Sequence, residues 1–193
     1  MQQTKVQNFN HLKIHTQYSI CEGAIKIEDL KNFCKENKIQ SVGLSDTSNL
    51  CGALEFAENI SKVGTQPIIG TQINFKFGDT VGLIPLIALN STGYKTIVEL
   101  SSKSYLENGD DIEPNLELDV LYNKPEGVVV MSGSVNGLFG KLFDKGKFED
   151  ISNIYNKISE TYKDKFYIEI QRHNDHNEKL FEKFNLQHSL KVK

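Results

Sequence analysis

The sequence predicts an α/β fold: a β/α barrel, with an open doubly wound sheet as the structural alternative. Three observations carry this expectation. Short apolar runs fit for buried strands recur at 39–45, 67–75, 83–89 and 127–132. Segments with apolar residues at helical spacing separate most of them. Polar residues gather where these runs end, the place at which α/β proteins build their sites.

The elements follow in order. In His11-Leu12-Lys13-Ile14-His15, Leu12 and Ile14 alternate with polar residues, predicting a short strand with one apolar face. The loop after it offers Ser19, Glu22 and Gly23. Ile27, Leu30, Phe33 and Cys34 predict an amphipathic helix over 26–37. A second strand over 39–45 points Val42 and Leu44 one way and runs into Asp46-Thr47-Ser48-Asn49, rich in residues that cap helices. The next helix carries Leu50, Leu54, Ala57 and Ile60 on one stripe and stops at Gly64. A third strand over 67–75 completes β-α-β-α-β, the pattern of a parallel sheet with crossover helices.

Beyond it, Gly78-Asp79 marks a turn, and 83–89 is apolar enough for a strand buried on both faces. Tyr94, Ile97, Val98 and Ser101 define a helix, and 107–126 reads as an irregular excursion with one helical turn. A fifth strand over 127–132 precedes a regular helix marked by Phe148, Ile151, Tyr155, Ile158 and Tyr162. A sixth strand over 165–171 leads to a helix over 175–190 around Leu180 and Phe184. Six strands are too few to close a barrel, and the sequence stops where the rhythm calls for another. The expectation is a barrel missing its last strand or strands, in a protein that continues past Lys193.

At 193 residues the chain suits one domain. A net charge of -3 and a single arginine, Arg172, argue against a dominant nucleic-acid surface, which needs a concentrated basic face. Three cysteines, Cys21, Cys34 and Cys51, have no CxxC spacing and suit reduced thiols in a cytoplasm. Residues 1–10 lack the apolar core of a signal peptide, and no run approaches a membrane span. A soluble, cytoplasmic protein is expected.

The strand ends supply His15 and Gln17, Asp46 and Thr47, Gln72 and Asn74, Ser132 and Ser134, then Glu169, Gln171, Arg172 and His173. This set is rich in hydroxyls and amides and short of metal donors, with only His15, Glu22, Asp46 and Glu169 as candidate ligands. Three of them have a structural reading as well: His15 as a hydrogen-bonded strand-end residue, Asp46 as a helix N-cap, Glu22 on a solvated loop. His11 and His15, four apart on a strand, lie roughly 13 Å apart and cannot share an ion. His173 and His176 read as the start of a helix.

Taken together, the stretches His11-Leu-Lys-Ile-His15-Thr-Gln-Tyr-Ser19, Leu44-Ser-Asp46-Thr-Ser-Asn49-Leu-Cys-Gly52 and Pro67-Ile-Ile-Gly70-Thr-Gln72 resemble the opening motifs of a PHP (polymerase and histidinol phosphatase) domain. The form they resemble is the one at the N-terminus of bacterial replicative DNA polymerase III α subunits. Asn90-Ser-Thr-Gly93-Tyr, Val130-Met-Ser-Gly133-Ser and Phe166-Tyr-Ile-Glu169-Ile-Gln-Arg extend the similarity from Phe9 to about Leu190. The resemblance implies a distorted, TIM-like β/α barrel, with 1–193 as the PHP part of a longer polymerase chain whose palm, thumb and fingers lie outside it.

Metal-binding members of that family hold a cluster of ions with His and carboxylate ligands, so the resemblance also names the positions that depart. Lys13 stands where the first His of a His-x-His motif is usual, leaving His15. Glu22 keeps the loop acid. Asp46-Thr47 replaces an Asp-His pair, Gln72 replaces a Glu, Leu83 a His, and Ser134 a Cys or His; the last motif falls beyond Lys193. An ammonium at Lys13 repels a divalent cation and is expected to take its place, paired with Glu22 or Asp46.

The implied reading is therefore a vestigial site binding no metal, in a module that contacts the rest of the polymerase subunit and the proofreading exonuclease. That module meets DNA only through the holoenzyme, while the parent is a Mg²⁺-dependent nucleotidyltransferase. The alternative is an active Zn²⁺- or Mn²⁺-dependent phosphoesterase or 3′–5′ exonuclease using His15, Glu22, Asp46 and Glu169. A third reading is a self-contained barrel that binds a small metabolite.

Overall fold

The computed structural model of the chain describes residues 9–107, 113–123, 125–173 and 176–189. The expectations for 1–8 and 190–193, and for parts of 107–126 and the start of the last helix, lie outside them. The described residues form a mixed α/β fold around a six-stranded sheet. Its strands are β1 (Ser41–Thr47), β2 (Gln66–Phe77), β3 (Thr80–Ala88), β4 (Leu116–Glu117), β5 (Val128–Met131) and β6 (Phe166–Tyr167). They lie in the order β1-β2-β3-β5-β6, with β4 pairing β2 to one side.

The opening stretch lies beside β1 as expected, but as single contacts instead of a continuous ladder. Ile14 bridges Leu44 in parallel and Thr16 bridges Ile25. The Ile14 N–H donates to Gly43 O and the Ser45 N–H to Ile14 O. Glycine at 43 is what allows the approach, since a Cβ there would lie 2.5 Å from Leu12 O. The strand over 39–45 is observed two residues later, so Asp46 and Thr47 belong to β1 and not to a helix start.

β1 and β2 are parallel, completing the predicted β-α-β-α-β run. The parallel pattern then stops. β2 and β3 form an antiparallel hairpin with Phe77 opposite Thr80, joined by Gly78-Asp79 with Gly78 at a φ of +60°. A two-residue turn cannot cross over the sheet, so it reverses the strand. β5 is antiparallel to β3 and parallel to β6. The sheet stays open, with β6 at one edge and the opening stretch beside β1 at the other.

Among the described residues six α-helices cover the sheet: α1 (Ile27–Glu36), α2 (Ala53–Ser61), α3 (Ser91–Leu106), α4 (Leu138–Asp144), α5 (Phe148–Tyr162) and α6 (His176–Ser189). α2 buries Ala53, Phe56 and Ile60 and leaves Leu54 in solvent, a correction to the predicted stripe. In α6, Phe181 and Asn185 face inward while Leu180 is about half exposed. The short helix α4 carried no predicted counterpart. Two apolar cores result: a small one under α1 and α2 around Leu44 and Phe56, and a larger one under α3 to α6 around Phe75, Leu86, Val130 and Tyr155. Leu116, Leu118 and Leu121, from the predicted irregular excursion, are buried in the larger core. Among the described residues no helix is long and apolar enough to cross a membrane, and the three cysteines are free thiols.

Candidate functional site

Asp46, near the end of β1, is fully buried. Its Oδ1 accepts from the Thr16 N–H at 2.6 Å and from the Ser19 hydroxyl at 2.7 Å; its Oδ2 accepts from the Thr16 hydroxyl at 2.7 Å. Charge-assisted bonds of this kind make a buried carboxylate tenable. The expected N-cap role is thereby replaced: Asp46 folds the loop after the opening stretch. The loop's inner turn is completed by the Ser19 hydroxyl, which accepts from the Thr47 N–H at 3.1 Å. Thr16 is the residue sequence reasoning passed over here, and Ser19, read only as a loop hydroxyl, proves to bind Asp46; separations of 30 and 27 positions left no local signal for either contact.

With the loop fixed, the strand ends enclose an open cavity of about 390 Å³. The sequence-predicted Lys13, His15, Glu22, Gln72, Leu83 and Ser134 all line it. Glu169, Gln171 and His173, beyond β6, line the opposite wall. Asn136 and Gly137 join them from the turn before α4, and were missed because that helix was not expected. Asp46 does not line the cavity, and Thr47 reaches its edge only through hydrogen bonds.

Lys13 is the most informative residue. Its Nζ donates to Glu169 Oε1 at 3.1 Å, with the two side chains 16% and 9% exposed. The expected pairing with Glu22 or Asp46 is not observed, for a physical reason. Asp46 is engaged by Thr16 and Ser19, and Glu22 Oε2 accepts the Thr47 hydroxyl. Glu169 is the acid left to neutralise the ammonium, and its Oε1 also accepts the Gln171 amide. Because Lys13 lies outside β1 and Glu169 follows β6, the pair joins the two edges of the open sheet at the rim.

His15 stands between the two walls. Its Nδ1 lies 3.5 Å from the Ser19 hydroxyl and 3.7 Å from Glu22 Oε1, and its Nε2 lies 3.4 Å from Gln72 Nε2. Gln72 also donates to the Thr47 hydroxyl at 3.4 Å. Nearby, the Tyr18 hydroxyl donates to Glu55 at 2.6 Å, and this carboxylate raises the phenol's pKa above its ordinary value.

The metal cluster implied by the family resemblance can be tested against this donor set. Two imidazoles (His15 and His173), two carboxylates already bonded to protein donors, three amides, a hydroxyl, an apolar Leu83 and an ammonium surround the cavity. Among the described residues no group of three or more His, Cys, Asp or Glu is placed to hold an ion. Such a set does not fit a multi-ion cluster, which needs several anionic or imidazole donors converging. What the arrangement offers chemically is hydrogen bonding and a neutralised ion pair.

The PHP domain family profile matches residues 11–173. The chain is 34% identical over 181 residues to the DNA polymerase III subunit alpha of Caulobacter vibrioides, covering 90% of this chain and 16% of that protein. It is 35% identical over 176 residues to the protein of the same name from Borreliella burgdorferi, covering 86% and 15%. The chain thus spans about a sixth of the curated relatives it matches. A solved structure, an amidohydrolase from Chromobacterium violaceum, overlaps 49% of this chain and 34% of its own at 14% identity and a TM-score of 0.39, too low to carry an argument.

Proposed function

We propose, from the premise that this chain belongs to the PHP domain family, that it is a metal-free, non-catalytic PHP module of a DNA polymerase III α subunit. The observation that carries the reading is the Lys13–Glu169 pair. A fixed ammonium at 3.1 Å from the rim's buried acid supplies the positive charge that a metal would otherwise bring. Thr47, Gln72, Leu83 and Ser134 leave the remaining positions without ionic donors. Lys13, His15, Glu22 and Asp46 then serve the fold and its contacts, not hydrolysis.

The module's role in this reading is to support the rest of the subunit and to dock the proofreading exonuclease, in the cytoplasm. Polymerisation belongs to other parts of such a subunit, and DNA is met only through the assembly. The match to α subunits from two organisms over nearly the whole chain supports the parentage. The rival reading, a metal-dependent phosphoesterase using His15, Glu22, Asp46 and Glu169, is not favoured by a rim in which Asp46 faces away and Glu169 holds Lys13.

The test is metal analysis of the purified protein together with a phosphoesterase assay run with and without chelator. The expected result is metal far below one ion per chain and no chelator-sensitive hydrolysis. Near-stoichiometric zinc or manganese with chelator-sensitive hydrolysis overturns the reading. Co-elution with the proofreading exonuclease of the same organism tests the docking role.

A further inference from the structure

Behind the rim, two buried polar atoms lack a hydrogen-bond partner among the described residues: Glu169 Oε2 and Asn185 Nδ2. One is an acceptor and the other a donor. Both residues line the same inner cavity, between the segment after β6 and the inward face of α6. That cavity has about 10 Å³ open to water centres, room for one water molecule. Leaving both atoms bare would forfeit the hydration each has in the unfolded chain, which native structures rarely tolerate.

We propose that this cavity is a binding site for a single structural water, which donates to Glu169 Oε2 and accepts from Asn185 Nδ2. The Tyr155 hydroxyl, fully buried, donates to Asn185 Oδ1 at 3.1 Å, which leaves Nδ2 as the end available to the cavity. Glu169 is likewise held from the other side: its Oε1 takes Lys13 and Gln171, and its N–H donates to the Ser132 hydroxyl at 2.9 Å. The Ser134 hydroxyl lines the cavity as a further hydrogen-bonding group. A water bound there is thus enclosed by groups that are already fixed, so little additional ordering is needed to hold it.

The consequence is mechanical. Through this water the α6 helix is tied to the carboxylate that closes the sheet's two edges, giving a continuous polar chain Lys13–Glu169–water–Asn185–Tyr155 from rim to core. The inference stands apart from any reading of catalysis, since it concerns how Glu169 is satisfied on its buried side.

A crystal structure of the protein at a resolution that orders solvent is the direct test. One water within hydrogen-bond distance of both Glu169 and Asn185 is expected; a direct Glu169–Asn185 contact or a collapsed, dry cavity overturns the proposal. In solution, a double-mutant cycle of Asn185→Asp and Glu169→Gln reads the same link. Asn185→Asp keeps the acceptor for Tyr155 and places a second carboxylate across the water. Its loss in the folding equilibrium constant is expected to be about tenfold smaller in the Glu169→Gln background. Strict additivity of the two substitutions overturns the link.

Discussion

Replacing Lys13 by methionine keeps an unbranched stem as far as Cε and removes the ammonium, which isolates what the charge does. At 3.1 Å and an effective dielectric near 20, the attraction to Glu169 is about 5 kcal/mol. Desolvation of both groups offsets much of that, so the net worth of the pair is far smaller. The cost of Lys13→Met arises instead from the stranded anion: Glu169 stays buried, with only the Gln171 amide still on its Oε1. Breaking a buried pair by removing one partner costs about 3–5 kcal/mol, and the remaining amide places the expectation at the low end, about 3 kcal/mol. For a domain of roughly this size that corresponds to a fall in Tm of about 6–12 °C.

Urea or thermal unfolding at pH 7 measures the loss. Adding Glu169→Gln removes the stranded charge, so the double variant is expected to recover at least half of it. A Lys13→Met protein within about 0.5 kcal/mol of the parent refutes the reasoning. So does a loss that Glu169→Gln leaves unchanged, because the ammonium would then not be stabilising that carboxylate.

Three further outcomes are expected. Lys13→His alone should not create tight zinc or manganese binding, because Thr47, Gln72 and Leu83 cannot complete a shell; stoichiometric uptake by that variant in metal analysis would contradict this. Gly43→Ala should destabilise by about 1–3 kcal/mol and speed hydrogen exchange at Ile14 and Ser45, since the new Cβ meets Leu12 backbone that cannot swing aside; unchanged exchange there would show the opening stretch is held by other contacts. Burial raises the pKa of Tyr155 and Tyr162 above the ordinary 10.0 and pushes Tyr122 up to about 12, so the folded state keeps protons the unfolded chain gives up. Their stabilisation is complete below pH 10 and declines as pH rises toward the folded values, by about 1.4 kcal/mol per pH unit for each fully buried phenol. Phenolate absorbance of these residues should therefore rise together with the loss of circular dichroism, and a smooth titration of all tyrosines in a still-folded protein would count against it.

The local chemistry of the chain was sufficient for much of this protein. Ile27, Leu30 and Cys34 mark the buried face of α1, and Ile151 to Tyr162 mark that of α5, because a helix buries whatever its period aligns. The parallel β-α-β-α-β start and the cavity residues His15, Gln72, Ser134, Glu169, Gln171 and His173 were readable for a related reason, since strand ends in such folds point their polar residues to one rim, whereas Lys13 and Leu83 were marked only by the resemblance to the PHP family. Gly78-Asp79 was read as a turn, yet its length also required a hairpin, and the antiparallel β3 follows from that.

What tertiary structure alone decided is which charges meet. Lys13 and Glu169 lie 156 positions apart, and nothing local chooses between Glu22, Asp46 and Glu169 as partner. That choice depends on which acids are already satisfied: Asp46 by Thr16 and Ser19, Glu22 by Thr47. It depends equally on an open sheet whose two edges come close enough for one side chain to span them. The sequence by itself determined most residues of the rim and the scarcity of metal donors among them; long-range packing added Asn136 and Gly137, turned Asp46 away, and determined that the rim is closed by an ion pair, because a buried charge is held by whichever partner the fold brings within reach.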